Sequence, residues 1–342
     1  MSDPFRNFNQ FKIDPITEIR NSGIVTNGDV YWVSSESDSD HSARVDAVGQ
    51  KFLRTSLQSA IDEVVSDQND YVMVIPTDGG TVRALGTAVD INEDRVHILG
   101  LGAKPAPMAY NGLTFDGYVS TAQDTELVNI TGAGCEVGGL KFLGTSGTAG
   151  GGTMTSMMRI GTAASGTPHD TWLHDVHVES NQAAAANGTA VIVDVVGDVG
   201  TGITGLRFDR CWLGNWAWAP EQVVDLGGGT AGPTRAEFHN CTFVIDAQAT
   251  TDDFLRLGTG QTEYTLFKDC EFLNVEAGTA PASALTGAVL VDNPVILRNC
   301  SYYSVTQAGT DTEMFKSPAS SGTQAAVFDY GIGIGTAALS PA

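Results

Sequence analysis

The sequence predicts an all-β chain: a right-handed parallel β-helix with an N-terminal capping helix and an extended N-terminal arm. Three observations predict it. Cys211, Cys241, Cys270 and Cys300 recur at intervals of 30, 29 and 30 residues inside one frame of alternating apolar positions. Gly makes up 40 of 342 residues, well above the usual ~7%, and falls between short Val, Ile, Leu and Phe runs as turn punctuation. Only one segment, Arg54 to Val65, has helical periodicity.

The frame is read from the corners "FDRCWL", "FHNCTF", "FKDCEF" and "LRNCSY". Three residues before each cysteine stand Phe208, Phe238, Phe267 and Leu297, and two residues after stand Leu213, Phe243, Phe272 and Tyr302. Positions −5, −3, 0 and +2 therefore point inward. The alternation changes phase at position −1, occupied by Arg210, Asn240, Asp269 and Asn299. A phase change needs a bend, and Asn and Asp tolerate the left-handed backbone that makes one. Upstream, Leu140 and Val176 take the cysteine place, and Leu101 takes it more loosely with Ile98 before it. The intervals along the series are then 39, 36, 35, 30, 29 and 30 residues, the spacing of a solenoid whose coils shorten toward the C-terminus. The cysteines act as small apolar side chains in a tight corner. Four residues in a line without a CxxC pair do not make a tetrahedral zinc site, and no metal is expected.

The helical segment has Leu57, Ile61, Val64 and Val65 on one face and Thr55 or Ser56 as N-cap, and it precedes the strand "YVMVIP". Its apolar face is expected to cover the open end of the stack. Residues 1–50 show no coil frame and read as an attachment arm plus the small strand "DVYWVSS". Residues 51–305 are the β-helix, and 306–342 form a small-residue-rich tail. The arm carries Phe5, Phe8, Phe11, Ile13 and Ile16 with no coil to pack into, so these side chains are candidates for a surface contact.

The formal charge of −22 argues against nucleic-acid binding, which needs clustered Lys and Arg. It reads first as solubility and mutual repulsion, and second as adaptation to salt or docking on a basic partner. No window approaches 18 uninterrupted apolar residues, so no membrane span is expected. The first fifteen residues lack the basic and apolar regions of a signal peptide, and folding in a cytoplasm is expected.

The corners and the preceding "TSLQSAIDEVVSDQNDYVMVIP" resemble right-handed parallel β-helix proteins of the pectate-lyase-like kind, above all those of bacteriophage virions. That resemblance spans about residues 51–305. It implies a virion structural protein, a homotrimer decorating (cementing) the capsid surface. Its implied partners are the major capsid protein or another virion protein and other copies of itself. The alternative is a tailspike or tail fibre that binds or depolymerises host surface polysaccharide.

No catalytic residue and no cofactor site emerge from the sequence. Outward pairs such as Asp209 with His239, or Glu237 near Arg207, are encounters that any stacked coil produces. His169, His174 and His177 cluster with Asp170 and Asp175 but read as a solvated coil face. Trp212, Trp216 and Trp218 lie close together and read as an interface, since Trp is enriched at binding hot spots. "SSESDSDHS" lacks the Gly and terminal Glu of a calcium loop.

Overall fold

Each coil turns on a residue in the left-handed backbone region. Gly139, Asp175, Arg210, Asn240, Asp269 and Asn299 have φ of 68°, 53°, 53°, 52°, 54° and 50°. They are the residues immediately before Leu140, Val176 and the four cysteines, so the bend falls where the phase change requires it. The computed structural model describes residues 28–34, 49, 52–75, 83–85, 88–101, 114–117, 126–144, 156–162, 168–180, 191–197, 203–214, 222–226, 233–246, 253–257, 264–274, 285–286, 295–304 and 327–329.

The corners join two of three parallel sheets. Sheet A has eleven strands among the described residues and includes Trp172–His174, Leu206–Asp209, Arg235–His239 and Tyr264–Lys268. Sheet B has eight, including His177–Ser180, Trp212–Gly214, Thr242–Ile245 and Glu271–Asn274. Sheet C has seven, including Glu126–Ile130, Ser156–Ile160, Val191–Val195 and Gln222–Leu226. From Val89 to Ser304 the described strands visit C, A and B in turn, and every pairing is parallel to the strand one coil away. This is a parallel β-helix, and parallel crossovers of this kind take the right hand.

Register places like on like. Phe208 pairs with Phe238, and Phe238 with Phe267. Their rings stack at 4.7 and 4.8 Å with interplanar angles of 8° and 10°. Phe243 and Phe272 form a second column at 4.8 Å and 9°. The ring separation equals the ~4.8 Å rise between hydrogen-bonded strands, so backbone pairing and phenyl stacking are satisfied together. All four inward positions are buried in the coils of Leu140, Val176, Cys211, Cys241 and Cys270. Truncating one column member, as in Phe238→Ala, removes a fully buried ring, a change that costs about 3–5 kcal/mol.

The thiols make their own ladder. The Sγ of Cys211, Cys241, Cys270 and Cys300 donates to Leu173 O, Phe208 O, Phe238 O and Phe267 O of the preceding coil at 3.4–3.6 Å. A fifth cysteine, Cys135, stands at the −5 position of the Leu140 coil and donates to Glu93 O. All five are free.

At the N-terminal end the helix is shorter than its periodicity suggests, Leu57–Ile61. Ser56 is the N-cap and forms a reciprocal capping box with Ser59. The chain then tightens into i→i−3 bonds, Glu63 N to Ala60 O and Val64 N to Ile61 O. Leu57, Ala60, Ile61 and Val64 are buried in the same core as the first coils, whereas Val65 falls past the helix and is 49% exposed. Leu101 also departs from the frame, at 38% exposed, although Ile98 is buried in register with Val137. Gly100 before it does not take the left-handed backbone, so no corner turns Leu101 inward.

Two strands lie outside the 51–305 range and still join sheet A. Val30–Val33 pairs with Tyr71–Val74, and Val327–Asp329 pairs with Val295–Arg298. The buried Asp70 ties this end together, its carboxylate accepting from Asp29 N and Val65 N at 2.6 and 2.8 Å.

The thiol column gives a direct check. Burial pushes the Cys135 thiol up to about 11, and it pushes Cys241 and Cys270 up as well, so reactive thiolate is scarce at neutral pH. Native protein should therefore leave Cys135, Cys241 and Cys270 unmodified by a thiol reagent over hours, and burial alone should shield Cys211, with the half-buried Cys300 slow. Five thiols should appear on unfolding. Rapid native labelling of the whole column would overturn the coil frame.

Candidate functional site

Two outer faces concentrate polar chemistry. On sheet A, registers align Tyr71, His97, Glu136, Trp172, Arg207 and Glu237 in one column. His174, Asp209, His239 and Lys268 form the column beside it. Glu136 sits between two histidines, with His97 Nδ1 at 2.7 Å from Oε2 and His174 Nε2 at 3.0 Å from Oε1. Gly138 makes this possible, because a Cβ there would collide with the His174 imidazole. Burial alone would raise the Glu136 carboxyl, but the hydrogen bonds from His174 and His97, with their charges, outweigh it and hold it at about 2.

His174 has its other nitrogen, Nδ1, 3.1 Å from Asp175 Oδ2. Both ring nitrogens thus face carboxylate oxygens, which only the doubly protonated imidazolium satisfies with two donors. The hydrogen bond to Glu136 raises its pKa accordingly, with Asp175 adding to the effect. Asp175 in turn binds Arg210 through both oxygens, at 2.9 and 2.7 Å.

The remaining carboxylates of this face are occupied in the same way. Asp209 accepts from Trp172 Nε1 at 2.7 Å and faces Arg207 through both oxygens. Glu237 faces His239 Nε2 at 3.1 Å through one oxygen and accepts from the Tyr264 hydroxyl at 2.7 Å through the other. The pairs marked by the sequence, Asp209 with His239 and Glu237 with Arg207, are in register, yet each member spends its charge on a different partner. Trp172, by contrast, is 37% exposed, packed against the His174 ring at 4.4 Å and under the Arg207 guanidinium at 6.0 Å.

Sheet C carries the second set, which the sequence reading passes over. Its register ladder runs Asp90, Asn129, Arg159, Asp194, Asp225, Arg256. Asp194 and Asp225 are directly opposite each other on adjacent coils, about 4.8 Å apart along the stack. Arg159 joins Glu126 at 2.6 Å and approaches Asp194 at 3.5 Å. Asp225 is buried, as are Ser156 and Gln222 in the neighbouring row. Ser156 Oγ, Gln222 Oε1 and Asn129 Oδ1 are buried atoms with no hydrogen-bond partner.

The three histidines separate. His169 Nδ1 is held by Thr204 N at 3.1 Å and lies near its hydroxyl. The left-handed Asp175 falls between His174 and His177 and sends them to sheets A and B. His177 is buried beside Glu179, 2.9 Å away, and Glu179 also pairs with Lys141. Burial lowers its pKa. Trp212 is half-buried on the outer side of sheet B, edge-on to His177 at 5.8 Å, and its Nε1 donates to Gly214 O. Phe5, Phe8, Phe11, Ile13, Ile16, Trp216 and Trp218 lie outside the described residues, as does the acidic loop from Ser35. Among the described residues no group of three or more His, Cys, Asp or Glu is arranged to hold a metal ion, and no helix is long and apolar enough to cross a membrane.

The chain is a parallel β-helix protein with polar, ladder-forming outer faces. It matches no protein-family description and no curated protein sequence. Solved structures similar to it include the pectin methylesterase of Aspergillus niger in deglycosylated form, at 12% identity and a TM-score of 0.45 over 85% of this chain and 90% of that one. The same enzyme bearing an N-acetylglucosamine stub gives 11%, 0.43, 85% and 90%. A pectin methylesterase variant in complex with a hexasaccharide gives 12%, 0.36, 80% and 66%.

The two histidines that flank Asp175 give opposite pH signatures. His174 has a raised folded pKa, so its contribution is fully present below about pH 6.5 and is lost as pH rises through the folded value. His177 has a lowered one, so its contribution is present above about pH 6.5 and is lost as pH falls toward the folded value. In urea unfolding between pH 5 and 9, His174→Gln should destabilise most at the acid end and progressively less toward pH 9. A penalty that grows with pH would show that His174 is neutral in the folded protein.

Proposed function

We propose that the chain is a bacteriophage virion structural protein, a trimeric capsid decoration protein whose arm seats on the shell and whose β-helix faces outward. The observation that supports it best is the saturation of sheet A's outer face. Glu136, Asp209 and Glu237 each have both oxygens engaged by neighbouring side chains. Glu136, held at about 2, is the wrong carboxyl for a general acid, which needs its pKa near the working pH. Such a surface is built for rigidity. The arm supplies attachment: burying Phe5, Phe8, Phe11, Ile13 and Ile16 contributes on the order of 1.5–3 kcal/mol each before ordering costs. Three linked arms multiply that effect.

Removing residues 1–20 should leave a soluble β-helix that no longer joins particles, with density for it missing from purified virions by cryo-electron microscopy. Full occupancy by the truncated protein would move attachment to another surface.

A second reading, a tail β-helix that binds or cleaves host surface polysaccharide, is favoured by Asp194 and Asp225. Retaining glycosidases hold their two carboxyl groups about 5–5.5 Å apart, close to the rise between coils. Under the structural reading, incubation with a panel of host capsular polysaccharides releases no reducing ends or unsaturated sugars. Release that disappears in Asp194→Asn and Asp225→Asn would replace decoration by this second function.

A further inference from the structure

Sheet A's outer face differs in charge and composition from the molecule around it. Between Glu136 and Arg298 it bears Arg207, Arg235, Lys268 and Arg298, besides the imidazolium of His174, against three carboxylates, Glu136, Asp209 and Glu237. The whole chain carries −22. All four Arg and Lys side chains are exposed, and Lys268 and Arg298 stand directly opposite each other, with Asp329 in register on the far side of Arg298. Half-buried Leu266 and Ile296 lie in register beside them, on the same outer face. Further along is Trp172, a large exposed aromatic fixed in place by Asp209, His174 and Arg207. Trp and Arg are the side chains enriched at interface centres, and an aromatic already immobilised loses little entropy on contact.

We infer that this face is where copies of the chain meet, each placing it against the acidic body of the next. The inference rests on the trimer reading above and gives it a surface. A near-neutral face with exposed cations meeting an acidic one is a contact between different patches, the kind that closes into a ring when the rotation allows. Charge complementarity selects a second copy as the occupant, because an electrically uniform −22 chain would repel itself. Trp212, on sheet B, lies outside this contact.

The test is size-exclusion chromatography with light scattering on the full chain, at low and high salt. Circular dichroism serves as the check on folding. Wild type should be a trimer that dissociates as salt rises. Arg235→Glu with Lys268→Glu should weaken association at least about tenfold, since reversal turns attraction into repulsion. Arg95→Glu, reversing an exposed cation outside this patch that pairs with Asp67, should leave the trimer intact. Trp172→Gln should dissociate the trimer without altering net charge, and it carries the test if the double reversal fails to fold. A wild-type trimer indifferent to both the reversal and Trp172→Gln would overturn this inference and leave the trimer reading standing. A wild type that is monomeric at all concentrations would overturn both.

Discussion

The left-handed corner between sheets A and B is the constraint on which the rest depends. A non-glycine residue in that region costs about 1–2 kcal/mol, and it is met at Asp175, Arg210, Asn240, Asp269 and Asn299 in five consecutive coils. The stack repays it through neighbours. Each corner residue's N–H from Asp175 to Asp269 donates to a carbonyl of the next coil: Asp175 to Asp209, Arg210 to His239, Asn240 to Lys268 and Asp269 to Arg298. Asn299 adds a side-chain bond to Asp269 Oδ1 at 2.7 Å. Without the corner the phase of inward positions would not change, and one of the two sheets would present its polar residues to the core.

The same register that stacks phenyls in the core stacks whatever lies outside. Inside, repetition is favourable, because like apolar groups pack. Outside, repetition of a charge is costly, and the sequence resolves this by alternating partners: His97, Glu136 and His174 along sheet A, and Glu126, Arg159 and Asp194 along sheet C. On sheet C the adjacent Asp194 and Asp225 are bracketed in register by two arginines, Arg159 and Arg256. On sheet A the adjacent Lys268 and Arg298 are followed in register by Asp329.

What could be read from the sequence followed from where periodicity was strict. Sheets A and B meet at a tight corner of fixed length, so Phe, Asn and Cys recur at 29 or 30 residues and the inward set could be named residue by residue. Sheet C is bounded by loops of varying length. Its strands "ELVNI", "SMMRI" and "VIVDV" keep no common distance from the cysteines, and its carboxylate pair stayed hidden although the strands themselves are plainly apolar. A second left-handed column before sheet A, at Arg95, Gly134, Asp170 and Gly205, escaped for a different reason. Its residue types are mixed, and in the next coil the position in register with Gly205 is Arg235, already in the strand and without the left-handed backbone. The histidines, read as a solvated coil face, depart from that reading at His177: the bend at Asp175 sends it to sheet B, where it is buried beside Glu179.

The uniform thiol ladder has a consequence for how such a chain can vary. From Cys211 to Cys300 each coil presents the same corner, the same inward cysteine and the same carbonyl to the coil above. A whole 29- or 30-residue segment is therefore an interchangeable storey. Its duplication or loss would preserve the corner and thiol contacts across the joint, because each storey contacts only those adjacent to it. The body would lengthen or shorten in steps of about 4.8 Å while its two ends stayed as they are. Architecture of this kind lets a lineage adjust the height of a molecule without redesigning it.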